Sequence, residues 1–307
     1  MSTPSASPKP LAIITGANSG FGYGAAEILL ARGCDVILAC RSTALGTAAA
    51  AALTAKHPAC GAATVMALDL SDLSSVCAFA AAFLASHGSR PLTYLINNAG
   101  LAQLGGPRTL TAQGFEATVG VNHLGHAALF NLLLPHLKTS GTRIVAVGSL
   151  VHTKGRQAVG APLDAGDGLD AYANSKLLNT VWGFEVHRRY SGAGVSCNSG
   201  HPGSGLYTGL GGKGALATVL RSTLIPLLTP LLWLVGFSQT WHEGGVAEVA
   251  AADAVQGGLY FYRHWQSTAS ATAGDAAVGA WVWAETHRLL REAAARHGLP
   301  EGIAGEA

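Results

Sequence analysis

The sequence predicts one α/β domain built on a doubly wound parallel sheet with helices on both of its faces. Apolar runs rich in Val, Ile and Leu recur along the chain, separated by Ala-rich segments of helix length. The runs are apolar at consecutive positions, which is typical of strands buried on both faces of a parallel sheet. Hydrophobic residues make up 49% of the 307 residues and charged residues 12%, so the chain can bury a large core.

Six of these runs are predicted to be strands: residues 11–15, 35–40, 64–68, 92–96, 143–149 and 194–200. The alternation stops after about residue 203, where Gly-rich GLGGKG and an apolar Leu/Pro stretch follow. It resumes with a strand near Leu259 and a helix over residues 276–297. Residues 204–240 are therefore predicted to be a lid-like excursion after the sixth strand, and not a second domain.

The predicted single domain covers residues 11–298, between a Ser/Pro-rich disordered tail over 1–10 and a C-terminal tail over 299–307. The N-terminus has neither the apolar core of a secretory signal nor the arginines of a transit peptide. This favours the cytoplasm or an organelle stroma, and it leaves open a longer precursor that has been trimmed.

The longest apolar stretch, residues 222–237, is shorter than the roughly 20 residues that a membrane-spanning helix needs. Pro226 and Pro230 also interrupt it. It has too few polar atoms to lie in water without a partner. We expect it to cover an apolar substrate and to contact a membrane surface peripherally; packing into the protein's own core is the alternative.

Charge and cysteine content exclude several classes of function. The formal net charge is +2 with no run of either sign, which argues against a nucleic-acid partner. The five cysteines show no CxxC spacing, and the twelve histidines include no HExxH pattern. We therefore predict reduced thiols and no metal site.

A Gly-rich turn, TGANSGFG over residues 15–22, follows the first predicted strand and opens a helix. Glycines at this spacing suit a tight turn whose backbone approaches a pyrophosphate, and a helix N-terminus attracts the anion. The turn thus predicts a Rossmann-type dinucleotide site. Its candidate cofactor contacts are Gly16, Asn18, Ser19, Gly20, Phe21 and Gly22.

The end of the second strand indicates which dinucleotide binds. An NAD(H) site has an acidic residue here for the ribose 2′-hydroxyl, but this chain has Cys40 and Arg41. A guanidinium pairs with a 2′-phosphate in bidentate fashion, so Arg41 predicts NADP(H). Asp69, after the third strand, is a candidate acceptor for the adenine amino group; N-capping of the next helix by the Asp69 to Asp72 pair is the alternative.

YANSK, residues 172–176, sets a tyrosine and a lysine at i and i+4. On a helix these two side chains lie on the same face. A free phenol, with a pKa near 10, exchanges protons poorly at neutral pH. A nearby ammonium favours the phenolate and draws that pKa toward neutrality, so the pair suits general acid/base chemistry.

TGANSGFG, NNAG (residues 97–100), Ser149, YANSK and HPG (residues 201–203), in this order and at these intervals, resemble the short-chain dehydrogenase/reductase superfamily. The resemblance implies that Tyr172 is the general acid/base and that Lys176 lowers its pKa and holds the nicotinamide ribose. It also implies that Ser149 orients the substrate oxygen and that Asn122 anchors a proton-relay water. The further cofactor contacts that it implies are Leu70, Asn98, Ala99, Gly100, Tyr172, Lys176, Pro202, Gly203 and Thr208.

Within the superfamily, ACRS, LTAQGFEATVGVNHLGH and the wide interval from Ser149 to Tyr172 resemble the retinol dehydrogenase branch and light-dependent protochlorophyllide reductase. The expected function is NADP(H)-dependent hydride transfer to or from a carbonyl/alcohol carbon of an apolar substrate. Reduction of a tetrapyrrole C=C bond and a non-catalytic NADPH sensor are the alternatives. The resemblance also implies a homodimer through helices that include residues 170–191.

Overall fold

The structure is a computed structural model that describes residues 8–105, 107–164, 166–203 and 240–306. Within these ranges the strands form one sheet in the order β3-β2-β1-β4-β5-β6-β7-β8. All neighbouring strands are parallel except β7 and β8. The bounds are β1 Leu11–Thr15, β2 Asp35–Cys40, β3 Ala63–Ala67, β4 Leu92–Asn97, β5 Arg143–Val147, β6 Ser196–His201, β7 Tyr260–Tyr262 and β8 Trp265–Ser267.

The six strands expected from the apolar runs are all present, and the doubly wound fold is confirmed. Strand β3 begins and ends one residue earlier than predicted, and β5 ends at Val147 instead of residue 149. The missed strand is β8, which is exposed at all three residues and pairs only with β7. Without a buried face it has no apolar signature from which it could be predicted.

Helices cover both faces of the sheet. Their bounds are α1 Gly20–Ala31, α2 Thr43–Lys56, α3 Leu73–His87, α4 Ala117–Val119, α5 Gly125–Ser140, α6 Gly168–Tyr190, α7 Trp241–Asp253, α8 Ala271–Gly274 and α9 Ala276–His297. Alternate residues of β1 belong to two separate cores, Ile13 on the side of α3, α5 and α6 and Ile14 on the side of α1, α2 and α7. This two-sided burial explains why the strand sequences are apolar throughout.

Helix α7 is the first helix described after residue 203, and it packs closely against α1. A Cβ at Gly24 would lie 2.1 Å from the Trp241 carbonyl oxygen, and a Cβ at Gly245 would lie 2.3 Å from the Gly24 carbonyl carbon. Both positions therefore need glycine. Thr240 and Glu243 form a capping box that starts α7.

Helix α9 was predicted with the bounds that the structure has, and it packs along α6. Trp283 of α9 contacts the rings of Phe130 and Tyr190, and the Arg189 guanidinium lies 4.6 Å from the centre of the Trp283 ring. The surface of α6 that faces α9 is thus covered from within the chain. The homodimer through residues 170–191 stays a prediction.

The C-terminus differs from the expected tail over 299–307. Residues Glu301–Ala304 form a 3₁₀ turn whose Ile303 is fully buried, and Asn131 of α5 donates a hydrogen bond to the Ile303 carbonyl (2.9 Å). A single apolar residue within a short polar segment carries no periodic signal, so sequence reasoning did not detect this docking. In the described part of the chain, no helix combines the length and the apolar character needed to cross a bilayer.

Candidate active site

The predicted site residues gather at the carboxyl ends of β1, β4, β5 and β6. The strand order reverses between β1 and β4, and this is the point at which open α/β sheets bind ligands. Gly16 and Gly20 of the predicted dinucleotide turn have φ of 68° and 60°, a backbone region that other residues rarely adopt. The turn ends at the N-terminus of α1, where unpaired N–H groups favour an anion.

The turn is tied directly to the NNAG segment that follows β4. The Asn98 side chain donates a hydrogen bond to the Thr15 carbonyl (2.7 Å), and the Ala99 N–H donates to the Thr15 hydroxyl (2.9 Å). A Cβ at Gly22 would lie 2.3 Å from the Asn98 amide nitrogen. The two segments therefore form one packed wall, which the glycine spacing permits.

Between these segments lies an open cavity of about 290 Å³. It brings together eleven of the predicted cofactor contacts, and the glycine turn forms one of its walls. The lining residues are Gly16, Asn18, Ser19, Gly20, Phe21, Ala39, Arg41, Leu68, Asp69, Leu70, Asn98, Ala99, Gly100, Leu101 and Val121.

Arg41 is exposed at the rim of this cavity, directly after β2. For the Asp69 to Asp72 pair, the structure assigns the capping role to Asp72, and the adenine contact of Asp69 stays a prediction. The Asp72 carboxylate accepts from the Ser74 N–H and caps α3. Asp69 lines the cavity, and its Oδ1 accepts from the N–H and hydroxyl of Ser71 (2.9 and 2.6 Å).

Tyr172 and Lys176 lie one turn apart on α6, as the spacing predicted. The Lys176 Nζ is 5.9 Å from the centre of the Tyr172 ring and donates a 3.0 Å hydrogen bond to the carbonyl of Val147, the last residue of β5. Ser149, two residues after β5, is hydrogen-bonded to the Tyr172 hydroxyl. The three side chains predicted for proton transfer thus converge on one place.

The pKa of Tyr172 differs from the expected lowering. Burial raises the pKa of Tyr172, and the hydrogen bond from Ser149 opposes this only in part. Burial also lowers the pKa of Lys176 to about 8, while attraction to Glu248 acts in the opposite direction. The Lys176 ammonium points to the Val147 carbonyl, so the protein groups in this arrangement do not by themselves favour the phenolate.

Asn122 lies in a π-helical turn, Gly120–Leu124, that leads into α5. Its side-chain oxygen accepts from the Leu101 N–H (2.8 Å), and its amide nitrogen donates to the Leu101 carbonyl and the Ser175 hydroxyl (both 2.9 Å). A Cβ at Gly100 would lie 3.2 Å from the Asn122 Oδ1 and 3.4 Å from the Lys176 Nζ. Asn122 therefore adjoins Lys176 beside the NNAG segment.

Pro202 and Gly203 follow β6 at the same edge, and Gly203 has φ of 116°. Thr208 and the predicted substrate lid, including the apolar stretch over 222–237, lie outside the described residues.

Sequence reasoning missed three buried ionisable residues near the site. His126 donates to the Asn122 carbonyl (2.9 Å), and His152 donates to the Ser149 carbonyl (2.7 Å) while its Nε2 accepts from the Ser270 N–H (3.1 Å). The histidines follow Asn122 and Ser149 by four and three residues, and this spacing was the only available signal.

The third missed residue is Glu248, on the apolar face of α7. It is 2% exposed, and neither of its carboxyl oxygens has a hydrogen-bond partner in the described structure. Burial raises the pKa of Glu248 to about 8, opposed by attraction to Lys176. In the sequence, Glu248 stands among alanines and valines in VAEVAAAD, and nothing in that context indicates that it is buried.

Comparison with known proteins agrees with this geometry. Residues 10–208 match the family described as short chain dehydrogenase. Dehydrogenase/reductase SDR family member 13 of Bos taurus is 42% identical over 233 residues, covering 73% of this chain and 57% of that protein. Retinol dehydrogenase 13 of Homo sapiens is 34% identical over 303 residues, covering 92% of this chain and 85% of that protein.

The chain therefore spans little more than half the length of the bovine relative. Among solved structures, the crystal structure of an uncharacterized protein from Mycobacterium paratuberculosis matches with a TM-score of 0.66 at 33% identity, covering 91% of this chain and 92% of that chain. The fold, the order of the motifs and these matches show that the chain belongs to the short-chain dehydrogenase/reductase family, with a retinol dehydrogenase among its relatives.

Proposed function

We propose that this protein is an NADP(H)-dependent oxidoreductase that transfers hydride between the nicotinamide and a carbonyl/alcohol carbon of an apolar substrate. The observation that carries the proposal is the convergence of Tyr172, Ser149 and Lys176 at the sheet edge that also holds the cavity lined by the glycine turn. The 34% sequence identity to a retinol dehydrogenase, over 92% of this chain, supports an apolar substrate.

The chain's own residues account for the proton transfer. When bound, the nicotinamide supplies or accepts the hydride at the substrate carbon. In the direction of reduction, Tyr172 donates its hydroxyl proton to the substrate oxygen while Ser149 holds that oxygen by a hydrogen bond. The Lys176 Nζ lies 5.9 Å from the centre of the Tyr172 ring, and its charge together with that of the oxidised nicotinamide would stabilise the phenolate that results.

The surroundings of the catalytic tyrosine suit a substrate with little polarity. Leu150 directly follows Ser149, Leu169 lies one helical turn before Tyr172, and both are about half exposed, at 50% and 51%. Leu104, which follows the NNAG segment, is 55% exposed. Exposed apolar side chains on the segments that carry a reactive centre support the binding of an apolar molecule there.

Arg41 supports NADP(H) as the cofactor. It is exposed at the cavity rim after β2, where a guanidinium can meet the 2′-phosphate. The non-catalytic sensor is disfavoured because a protein that only binds the dinucleotide has no need of a buried lysine beside a tyrosine and a serine.

The test is a screen of purified protein with NADPH or NADH against all-trans-retinal, long apolar aldehydes, steroids and protochlorophyllide, followed at 340 nm. We expect turnover of an apolar aldehyde or retinal, with kcat/KM higher for NADPH. Light-dependent turnover of protochlorophyllide alone would instead establish C=C reduction. NADPH binding without turnover of any substrate would favour the sensor.

A further inference from the structure

His126 connects two parts of the site that are far apart in sequence. It lies in the first turn of α5 and is 3% exposed. Its Nδ1 is 2.9 Å from the Asn122 carbonyl oxygen, and its Nε2 is 2.9 Å from the hydroxyl of Thr15, 111 residues away. The imidazole thus links the dinucleotide turn to the π-helical turn of Asn122.

The partners determine which ring nitrogen carries the hydrogen. A carbonyl oxygen can only accept, so Nδ1 is the donor and Nε2 has the free lone pair. The Thr15 hydroxyl therefore donates to Nε2, and its oxygen accepts from the Ala99 N–H. The Ile96 carbonyl competes for the same hydroxyl hydrogen, but at 3.4 Å it is the weaker acceptor.

The ring stays neutral. Burial lowers the pKa of His126 to about 4, and the nearby Lys176 charge contributes in the same direction. Ala99, Thr15, His126 and Asn122 consequently form one directed chain of hydrogen bonds that keeps its polarity over the pH range in which a dehydrogenase works.

The local helix geometry explains why the imidazole binds this carbonyl. In the π-helical turn the backbone bonds run to the fifth residue, as the Gly125 N–H does to the Gly120 carbonyl. His126 lies four residues beyond Asn122, and its imidazole reaches back to the Asn122 carbonyl and takes one lone pair. A carbonyl has two lone pairs, so it can accept one further hydrogen bond beside that of His126.

We propose that His126 is a positioning residue that couples the dinucleotide-binding turn to Asn122 and thereby holds the Asn122 carbonyl in place for proton transfer through Lys176. This inference rests on the proposed hydride-transfer function. Thr15 and His126 then act together: through their hydrogen bond, the turn that binds the dinucleotide also sets the position of the Asn122 carbonyl.

Three variants separate positioning from packing. The amide nitrogen of asparagine occupies about the place of the histidine Nδ1, so His126→Asn keeps a donor for the Asn122 carbonyl, whereas His126→Leu keeps only bulk. Thr15→Val removes the hydroxyl and breaks the link at its other end. We expect His126→Leu to lower kcat at least about tenfold while NADPH affinity and KM stay within about threefold.

We also expect His126→Leu to raise the solvent deuterium isotope effect on kcat, because proton transfer becomes slower relative to hydride transfer. His126→Asn, which keeps the donor for the Asn122 carbonyl but cannot reach Thr15, should recover part of kcat and part of the wild-type isotope effect, and Thr15→Val should show a similar partial loss. Equal losses in His126→Asn and His126→Leu, or an unchanged isotope effect in His126→Leu, would overturn the proposal and assign His126 to packing.

A measurement that needs no turnover tests the same link. In protein labelled with ¹⁵N-histidine, the signal that disappears in His126→Asn should report a protonated Nδ1 and a bare Nε2 from pH 5 to pH 9. A protonated Nε2, or titration near the ordinary histidine pKa, would overturn the inference. If the wild type turns over no substrate, the proposed function is wrong, whereas the tautomer of His126 still reports whether the hydrogen-bond link exists.

Discussion

Glu248 and Lys176 attract each other across the end of β5, from helices that pack on opposite faces of the sheet. Glu248 lies on α7 and Lys176 on α6, and they are 2% and 4% exposed. The Lys176 ammonium donates to the Val147 carbonyl, and Val147 also lines the small cavity that Glu248 borders. Burial shifts both pKa values toward the neutral forms, to about 8 in each case, and the mutual attraction opposes both shifts.

This relationship predicts a pH-dependent stability effect of Glu248→Gln. The pKa of Glu248 is about 8 in the folded protein against an ordinary 4.5. Between pH 4.5 and pH 8 the Glu248 carboxyl is ionised in the unfolded chain but stays protonated in the folded protein. The free energy of unfolding therefore falls as the pH rises toward 8. The variant should therefore melt about 5 °C above the wild type at pH 8 and show a much smaller gain at pH 5.

Thermal unfolding at pH 5, 6.5 and 8 measures this difference, and Glu301→Gln, at an exposed glutamate, is the control. A melting difference that is the same at all three pH values would contradict the buried-carboxyl account.

Tyr172→Phe keeps the ring and its packing but removes the group proposed to transfer the proton. We expect turnover to fall by about two or more orders of magnitude while NADPH binding stays near wild type. Tyr94→Phe removes a hydroxyl that binds Asp253, away from the carboxyl edge of the sheet, and should retain activity. Turnover of Tyr172→Phe within threefold of wild type, measured at 340 nm, would rule out its role.

Arg41→Ala tests the cofactor preference. Only NADPH carries the 2′-phosphate, so its dissociation constant should rise at least about tenfold while that of NADH changes little. Arg32→Ala, which breaks the ion pair with Asp253 at the other end of α1, is the control and should alter neither. Fluorescence titration with both nucleotides measures the ratio, and equal losses would place the specificity elsewhere.

The paired substitution Leu150→Ser and Leu169→Ser tests the apolar substrate site. Both side chains are about half exposed beside Ser149 and Tyr172, so the cost in folding is small. We expect KM for long apolar aldehydes to rise about thirtyfold and KM for short ones to stay constant, because each of the two lost apolar contacts weakens binding by about 1 kcal/mol. Leu45→Ser, at an exposed leucine of α2, serves as the control; a KM that did not depend on chain length would place the substrate elsewhere.

Features set by neighbouring residues were predictable from the sequence. The β1 and β2 bounds follow from their continuous apolar runs, and α9 follows from its cap at Asp275 and its left-handed Gly298. The grouping of Tyr172 with Lys176 follows from helical spacing. Strand β8 and the docked turn at Ile303 were missed because each has too few residues to show a period.

The succession of strands and helices along the chain, the glycine turn and the Tyr172 to Lys176 pair could be predicted from local sequence, because apolar periodicity, glycine spacing and the helical repeat act over a few residues. Only the tertiary structure decided that His126 bonds Thr15, that Lys176 bonds the Val147 carbonyl, and that Glu248 is buried opposite Lys176. These contacts join residues that are far apart in sequence and that only the folded sheet brings together. The pKa values at the site depend on them, because burial and the distance to other charges set the free-energy cost of ionising each group.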